Sequence, residues 1–239
     1  MTTTAPISDS LDRTKTRFID VEGYRTRVYE DGEGDPIVLI HGGHYSFLCS
    51  LDCWSLNLPE LSKHFRVIAF DKLGNGFTDN PRREEDYTFE TVYNHTLATI
   101  RAMGVERAHI VGHSRGGFLA LRLAIEQPEL VKSLVIVDSN TASPDPHGSG
   151  DFYTSIERTW PDGPITREQV RMEPEKQAFS REQITEDYID RMHEIALLEK
   201  SIEARRVMKR VFKSVWLASL SRKREETFAY LREHGLPAR

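Results

Sequence analysis

The sequence predicts an α/β fold, a doubly wound and mostly parallel sheet, and three observations predict it. Short apolar runs of strand length alternate with longer stretches of helical periodicity as far as about residue 140. His41, Asp71, Ser114 and Asp138 each stand at or just beyond the end of one of these runs, where such sheets place their sites. The 239 residues suffice for one substantial core, so a single domain with an insertion is expected.

Taken in order, residues 1–17 are polar and are expected to form a mobile N-terminal segment. Phe18–Val21 and Tyr24–Tyr29 flank Glu22-Gly23 and alternate apolar with polar positions, as in an antiparallel hairpin. After the turn Asp31–Pro36, Ile37–Ile40 reads as a buried strand that runs straight into His41-Gly42-Gly43. Trp54–Leu61 suggests a helix, and Phe65–Phe70 a second buried strand ending at Asp71 and a glycine-rich loop. Asp71 is read as a carboxylate that binds loop backbone, in preference to a catalytic acid. Phe89–Met103 has helical spacing, with Gly104 as its stop.

His109–Val111 form a third buried strand, followed by the turn Gly112-His113-Ser114-Arg115-Gly116 and an apolar helix that ends before Pro128. This G-x-S-x-G spacing has a steric logic. A strand that reverses into a helix within a few residues brings backbone segments too close for side chains on either side of the serine. The Ser114 hydroxyl is lifted to the tip of the turn, beside N–H groups of a helix N-terminus that favour developing negative charge. Such an arrangement suits acyl transfer, with Ser114 as nucleophile. Glycines at the end of the Ile37–Ile40 strand let main-chain N–H groups approach a carbonyl oxygen. The oxyanion donors are therefore placed at Gly43, ahead of Gly42, and at Arg115.

Val131–Val137 is one more strand, and Asp138 behind it is a candidate acid set against a loop-capping role. No strand signal recurs beyond it. Ile184–Leu198, Ile202–Leu220 and a third stretch reaching His234 read as amphipathic helices. The basic residues Lys209, Arg210, Lys213, Arg222, Lys223 and Arg224 read as a solvated helix face. The expected organisation is 1–17 N-terminal segment, 18–144 sheet core and 145–239 helical lid.

A net charge of −5 and a pI near 6.0 offer no basic field for nucleic acid or anionic lipid, which leaves a small molecule as the expected partner. No signal sequence or membrane span is read, and a cytoplasmic enzyme is expected. Cys49 and Cys53 are too few for a disulfide framework or, even with His44, for a zinc site. No metal or cofactor is expected.

With the H-G-G loop at residues 41–43, the glycine loop after Asp71 and Gly112–Gly116 in this strand order, the chain resembles the α/β-hydrolase fold superfamily over about residues 18–140. The segment after Val137 looks like the lid of C–C bond hydrolases of meta-ring-fission products and of related carboxylesterases. The resemblance implies a serine-dependent hydrolase of an ester or vinylogous C–C bond in a small compound, a carboxylated one among the options. Its intermediate would be an acyl-enzyme or a gem-diol. Ser114 argues against epoxide hydrolases and haloalkane dehalogenases, which use Asp. His113 stands where ring-fission hydrolases carry Asn, and Arg191 is nearest to their lid arginine, at a different offset. His41, His113 and Arg191 are the candidate substrate contacts.

The superfamily order is Ser, acid, His, with the His after the last strand. Here the histidines beyond the nucleophile are His147, His193 and His234, none of which follows a strand. The last two strands of the fold, with base and acid, are therefore expected on sequence outside these residues: a second polypeptide segment, or a homo-oligomer covering the sheet edge. The rival reading is a truncated or split hydrolase scaffold that binds a ligand or partner.

Overall fold

The computed structural model describes residues 11–45, 49–143 and 163–236. Six strands form one mixed sheet: β1 (Thr16–Val21), β2 (Tyr24–Asp31), β3 (Pro36–Ile40), β4 (Arg66–Phe70), β5 (Ala108–His113) and β6 (Val131–Val137), in the order β1-β2-β4-β3-β5-β6. β1, β2 and β4 pair antiparallel, and β4, β3, β5 and β6 run parallel. The hairpin turn falls on Glu22 and Gly23, both at positive φ (53° and 81°), the turn geometry that matches strand twist.

Side-chain alternation assigns the two faces. Val38, Ile40, Ile68 and Phe70 point to one side, while Ile37, Leu39, Val67 and Ala69 point to the other. The first face carries the larger core, shared with α2 (Phe89–Ala102) and α3 (Arg115–Glu126). Thr88 caps α2 by accepting from Thr91 N–H, and Gly104 at φ 68° follows its end. The second face is covered by the 3₁₀ turn Leu51–Trp54, the short α1 (Leu58–Leu61) and Leu11. Trp54–Leu61 is thus not one helix: it is split between these two short turns, with Pro59 in the first turn of α1.

The N-terminal expectation needs correction from residue 11 onward. Leu11 is buried, Asp12 caps a 3₁₀ turn at Arg13–Lys15, and β1 already begins at Thr16. Residues 1–10 lie outside the described residues.

Beyond residue 162 come α4 (Arg167–Gln177), α5 (Glu186–Leu197), α6 (Glu199–Val211), a π-helical stretch (Phe212–Leu217) and α7 (Ala218–His234). Sequence periodicity missed α4, which buries only Val170; its signal was the capping box of Thr166 and Gln169. The expected lid is two things. α4 and α5 form a small cluster of their own around Ile165, Met192 and Ile195, capping Phe77. By contrast, Ala204, Val207, Met208, Val211, Trp216 and Leu220 of α6, the π stretch and α7 join the main core beside α2 and α3. Lys209, Arg210, Lys213 and Arg222 are exposed, as a solvated face requires, and some of the basic residues are paired as well: Arg210 binds Glu84, Arg222 binds Glu90, and Arg224 donates to the Thr141 and Ser143 carbonyls.

Among the described residues no strand pairs with the outer edge of β6. β6 is an edge strand whose Val135, Ile136 and Val137 are 47%, 40% and 39% exposed.

Candidate active site

Ser114 sits between β5 and α3 at φ 52°, ψ −123°, a strained conformation of the kind found at functional turns. The flanking glycines are forced. A methyl on Gly112 would lie 2.3 Å from the Gly116 carbonyl oxygen, and one on Gly116 would lie 2.4 Å from that of Ile40. The elbow is pinned to the edge strand from both sides: Ser114 N–H donates to the Val137 carbonyl at 3.0 Å, and the Ser139 hydroxyl donates to the Ser114 carbonyl. That carbonyl also accepts Gly117 N–H at 2.9 Å, closing the first turn of α3, which Arg115 opens.

The Gly42-Gly43 loop lies against the elbow. A Cβ on Gly42 would be 3.0 Å from both Ser114 Cβ and His113 Nδ1. Gly43, at φ 75°, has Cys49 packed on its Cα, where an added Cβ would lie 2.8 Å from Sγ. Gly42, Gly43, Ser114 and Arg115, singled out from sequence, are thus brought together.

His41 is not placed to touch a substrate. Its ring is fully buried, Nε2 accepts Lys72 N–H at 3.0 Å, and Nδ1 lies 2.8 Å from the Gly42 carbonyl. Nε2 is an acceptor, so Nδ1 carries the proton and donates to Gly42. Burial, reinforced by the Lys72 charge, holds its pKa well below the usual range and keeps the ring neutral. His113 is half-buried beside Ser114, edge-on to Trp54 at 6.5 Å. Burial lowers its pKa, and the Asp138 carboxylate opposes that shift. Asp138 itself is exposed, at φ 42° just past β6.

Arg191 does not present a free guanidinium to the elbow. It is buried, with Nε 3.0 Å from Asp52 Oδ1. Asp52 also accepts Arg27 Nη2 at 2.6 Å and the Ser50 hydroxyl at 2.8 Å. Asp71 adjoins this cluster, accepting Leu51 N–H and Phe77 N–H at 2.8 Å each, and so holds the two loops that flank the site. The described histidines beyond Ser114 lie elsewhere: His193 Nε2 faces the Ile165 carbonyl, and His234 stacks on Tyr230 at the end of α7. His147 lies outside the described residues.

Two lysines escaped sequence reasoning. Lys72 is buried with its ammonium on the Gly43 carbonyl at 2.7 Å, and Lys200 of α6 donates to the Gly76 carbonyl at 2.8 Å. The only signal for Lys72 was a long cationic side chain between a buried strand end and a glycine loop. Among the described residues no three His, Cys, Asp or Glu side chains could hold a metal ion, and no helix is long and apolar enough to cross a membrane.

A strained serine between colliding glycines, backed by a second glycine loop at the next strand end, has counterparts among known proteins. A family model for the alpha/beta hydrolase fold matches residues 35–163, over half of the chain. The chain belongs to the α/β-hydrolase fold family. Within that family it is 38% identical over 123 residues to 2-hydroxymuconate semialdehyde hydrolase of Pseudomonas sp. (strain CF600), covering 52% of this chain and 43% of the relative. It is 39% identical over 124 residues to 2-hydroxy-6-oxo-6-(2'-aminophenyl)hexa-2,4-dienoic acid hydrolase of Metapseudomonas resinovorans, covering 52% of this chain and 42% of the relative. The chain therefore matches less than half the length of these relatives. A solved meta-cleavage product hydrolase from Pseudomonas fluorescens IP01 superposes with a TM-score of 0.68 at 28% identity, covering 80% of this chain and 67% of that one.

Proposed function

We propose that this chain carries the nucleophile and oxyanion hole of a serine hydrolase that cleaves an ester or a vinylogous C–C bond in a small compound. The observation that carries the reading is the Ser114 elbow at φ 52° with the Gly42-Gly43 loop packed against it. Ser114 Oγ attacks the substrate carbonyl or activates water against it, giving an acyl-enzyme or a gem-diol intermediate, and the Gly43 and Arg115 N–H groups receive the oxyanion. His113, beside the nucleophile, contacts the substrate. The names of the similar hydrolases favour the C–C bond and a carboxylated dienone. Arg191 reaches such a carboxylate only by leaving Asp52.

This reading draws the base and acid from polypeptide that pairs with the open edge of β6, either a further segment or a second copy, because the described histidines beyond Ser114 are engaged away from it. The exposed Val135–Val137 edge supports that placement. The free thiols of Cys49 and Cys53 support a reducing, cytoplasmic setting.

A fluorophosphonate probe read by intact mass, applied with the polypeptide that supplies the base present, tests the proposal. One adduct is expected, on Ser114, and none on Ser114→Ala with an unchanged circular dichroism spectrum. A panel of activated esters and dienone acids then separates the two bond classes. The same open edge favours a second reading, a scaffold without activity of its own, and a chain that folds but never labels, even with the polypeptide that supplies the base present, would establish it.

A further inference from the structure

Lys72 is the buried charge in this site that the proposed chemistry does not use. It lies at the C-terminal end of β4, 1% exposed, and among the described residues its ammonium has a single acceptor, the Gly43 carbonyl at 2.7 Å. A buried cation is costly unless it does something, since most of its hydration is lost for one hydrogen bond. Its backbone N–H is engaged too, on His41 Nε2 at 3.0 Å. One residue thus reaches the oxyanion loop by two routes.

The first route fixes a peptide plane. Because Lys72 N–H occupies Nε2, His41 must donate from Nδ1, and it does so to the Gly42 carbonyl at 2.8 Å. In a trans peptide the C=O and the next N–H point in opposite directions. Holding the Gly42 carbonyl toward His41 therefore turns the Gly43 N–H to the other side of the plane. The second route fixes the next plane, because the ammonium holds the Gly43 carbonyl. Gly43 needs this, since at φ 75° it has the freedom of glycine and no side chain to hold it. We propose that Lys72 is the positioning residue of the oxyanion loop: its ammonium holds the Gly43 carbonyl, and its backbone N–H sets the His41 tautomer that aims the Gly43 N–H. This rests on the serine-hydrolase reading above for its purpose, but its geometry can be tested without turnover.

The groups facing Lys72 come from four places. They are His41 behind β3, Cys49 and Cys53 of the following loop and 3₁₀ turn, His113 of β5 and Arg115 of α3. His44 follows the Gly43 peptide, and Asp71 precedes Lys72. Burial pushes Lys72 down to about 7 and Cys49 up to about 12, holds Cys53 well above its usual range, and holds His41 and His113 below theirs. The Gly43 carbonyl therefore loses its ammonium partner as pH rises through about 7.

The test follows the Gly43 carbonyl ¹³C resonance against pH in the wild-type chain and in Lys72→Met, with the fluorophosphonate labelling rate of Ser114 alongside. Expected are a carbonyl titration near pH 7 in the wild type, its disappearance in Lys72→Met while the His113 ring titration persists, and labelling about tenfold slower with the circular dichroism spectrum unchanged. A Gly43 titration identical in both proteins, or labelling within twofold of wild type, overturns the proposal. Should Lys72→Met fail to fold, the wild type alone decides: absence of a scalar coupling across the Lys72 Nζ–Gly43 carbonyl hydrogen bond overturns it. Should the wild type not label at all, even with the polypeptide that supplies the base present, the hydrolase reading fails, and the resonance data still decide the role of Lys72.

Discussion

At the scale of single residues, Gly112, Gly116 and Gly42 were legible because each answers a contact that local chain reversal dictates. Gly116 is the sharpest case: its Cα faces the Ile40 and His41 carbonyls, where a methyl would lie at 2.4 and 2.5 Å. Gly116→Ala is expected to destabilise the fold by about 3 kcal/mol, the upper range of overpacking costs, because backbone cannot step aside as a side chain can. Urea unfolding measures this. Asp52 was not legible, since an aspartate in a polar loop reads as solvated. Only the folded chain brings Arg27, 25 residues earlier, and Arg191, in a helix far later in the chain, onto its two oxygens. Asp52→Ala removes the carboxylate these two guanidinium groups share, leaving Arg27 with Asp71 at 3.6 Å, and is expected to cost about 3 kcal/mol by the same measurement. Lys72 escaped for a related reason: whether a lysine is buried depends on which loop folds over it.

At the scale of elements, the strands and the helices α2 and α3 follow from periodicity and caps, because their apolar faces have one sheet to cover. The later helices show the limit. An amphipathic pattern states that a helix has a buried face and not what that face meets, so α6 and α7 were expected in a lid and instead complete the main core. The π-helical turn at Phe212–Leu217 was equally invisible, yet it carries Trp216 into contact with Tyr45 at 5.4 Å. Docking of α2 onto β2 has a titratable marker. His95 is buried with Nε2 2.9 Å from the Thr26 hydroxyl, and burial pushes its pKa down to about 4 from the ordinary 6.5. The folded chain thus refuses a proton that the unfolded chain accepts, so this contribution to stability is complete above pH 6.5 and is lost as pH falls toward 4. His95→Gln is expected to flatten the decline of the urea midpoint between pH 7 and 5, as denaturation series at the two pH values would show.

At the scale of the whole molecule, the sheet runs from the β1–β2 hairpin at one edge to β6, an exposed apolar strand, at the other. Such an edge pairs with whatever chain it meets. The 239-residue chain is expected to self-associate through β6, and Val135→Lys is expected to shift it toward monomer in sedimentation velocity. Val135 is the position to charge because its neighbour Ile136, not Val135, packs against Gly117 of α3. The ties from Ser114 to Val137 and Ser139 give this edge a second meaning. The proposed nucleophile, Ser114, hangs by its own amide from β6, one hydrogen bond from the margin of the sheet. Fraying at that margin loosens the serine before it loosens the core, and a strand added there steadies the serine without touching it. Assembly and readiness to react are thereby joined in a single backbone contact, and the hydrogen-exchange rate of one amide, that of Ser114, becomes a gauge of whether the edge is covered.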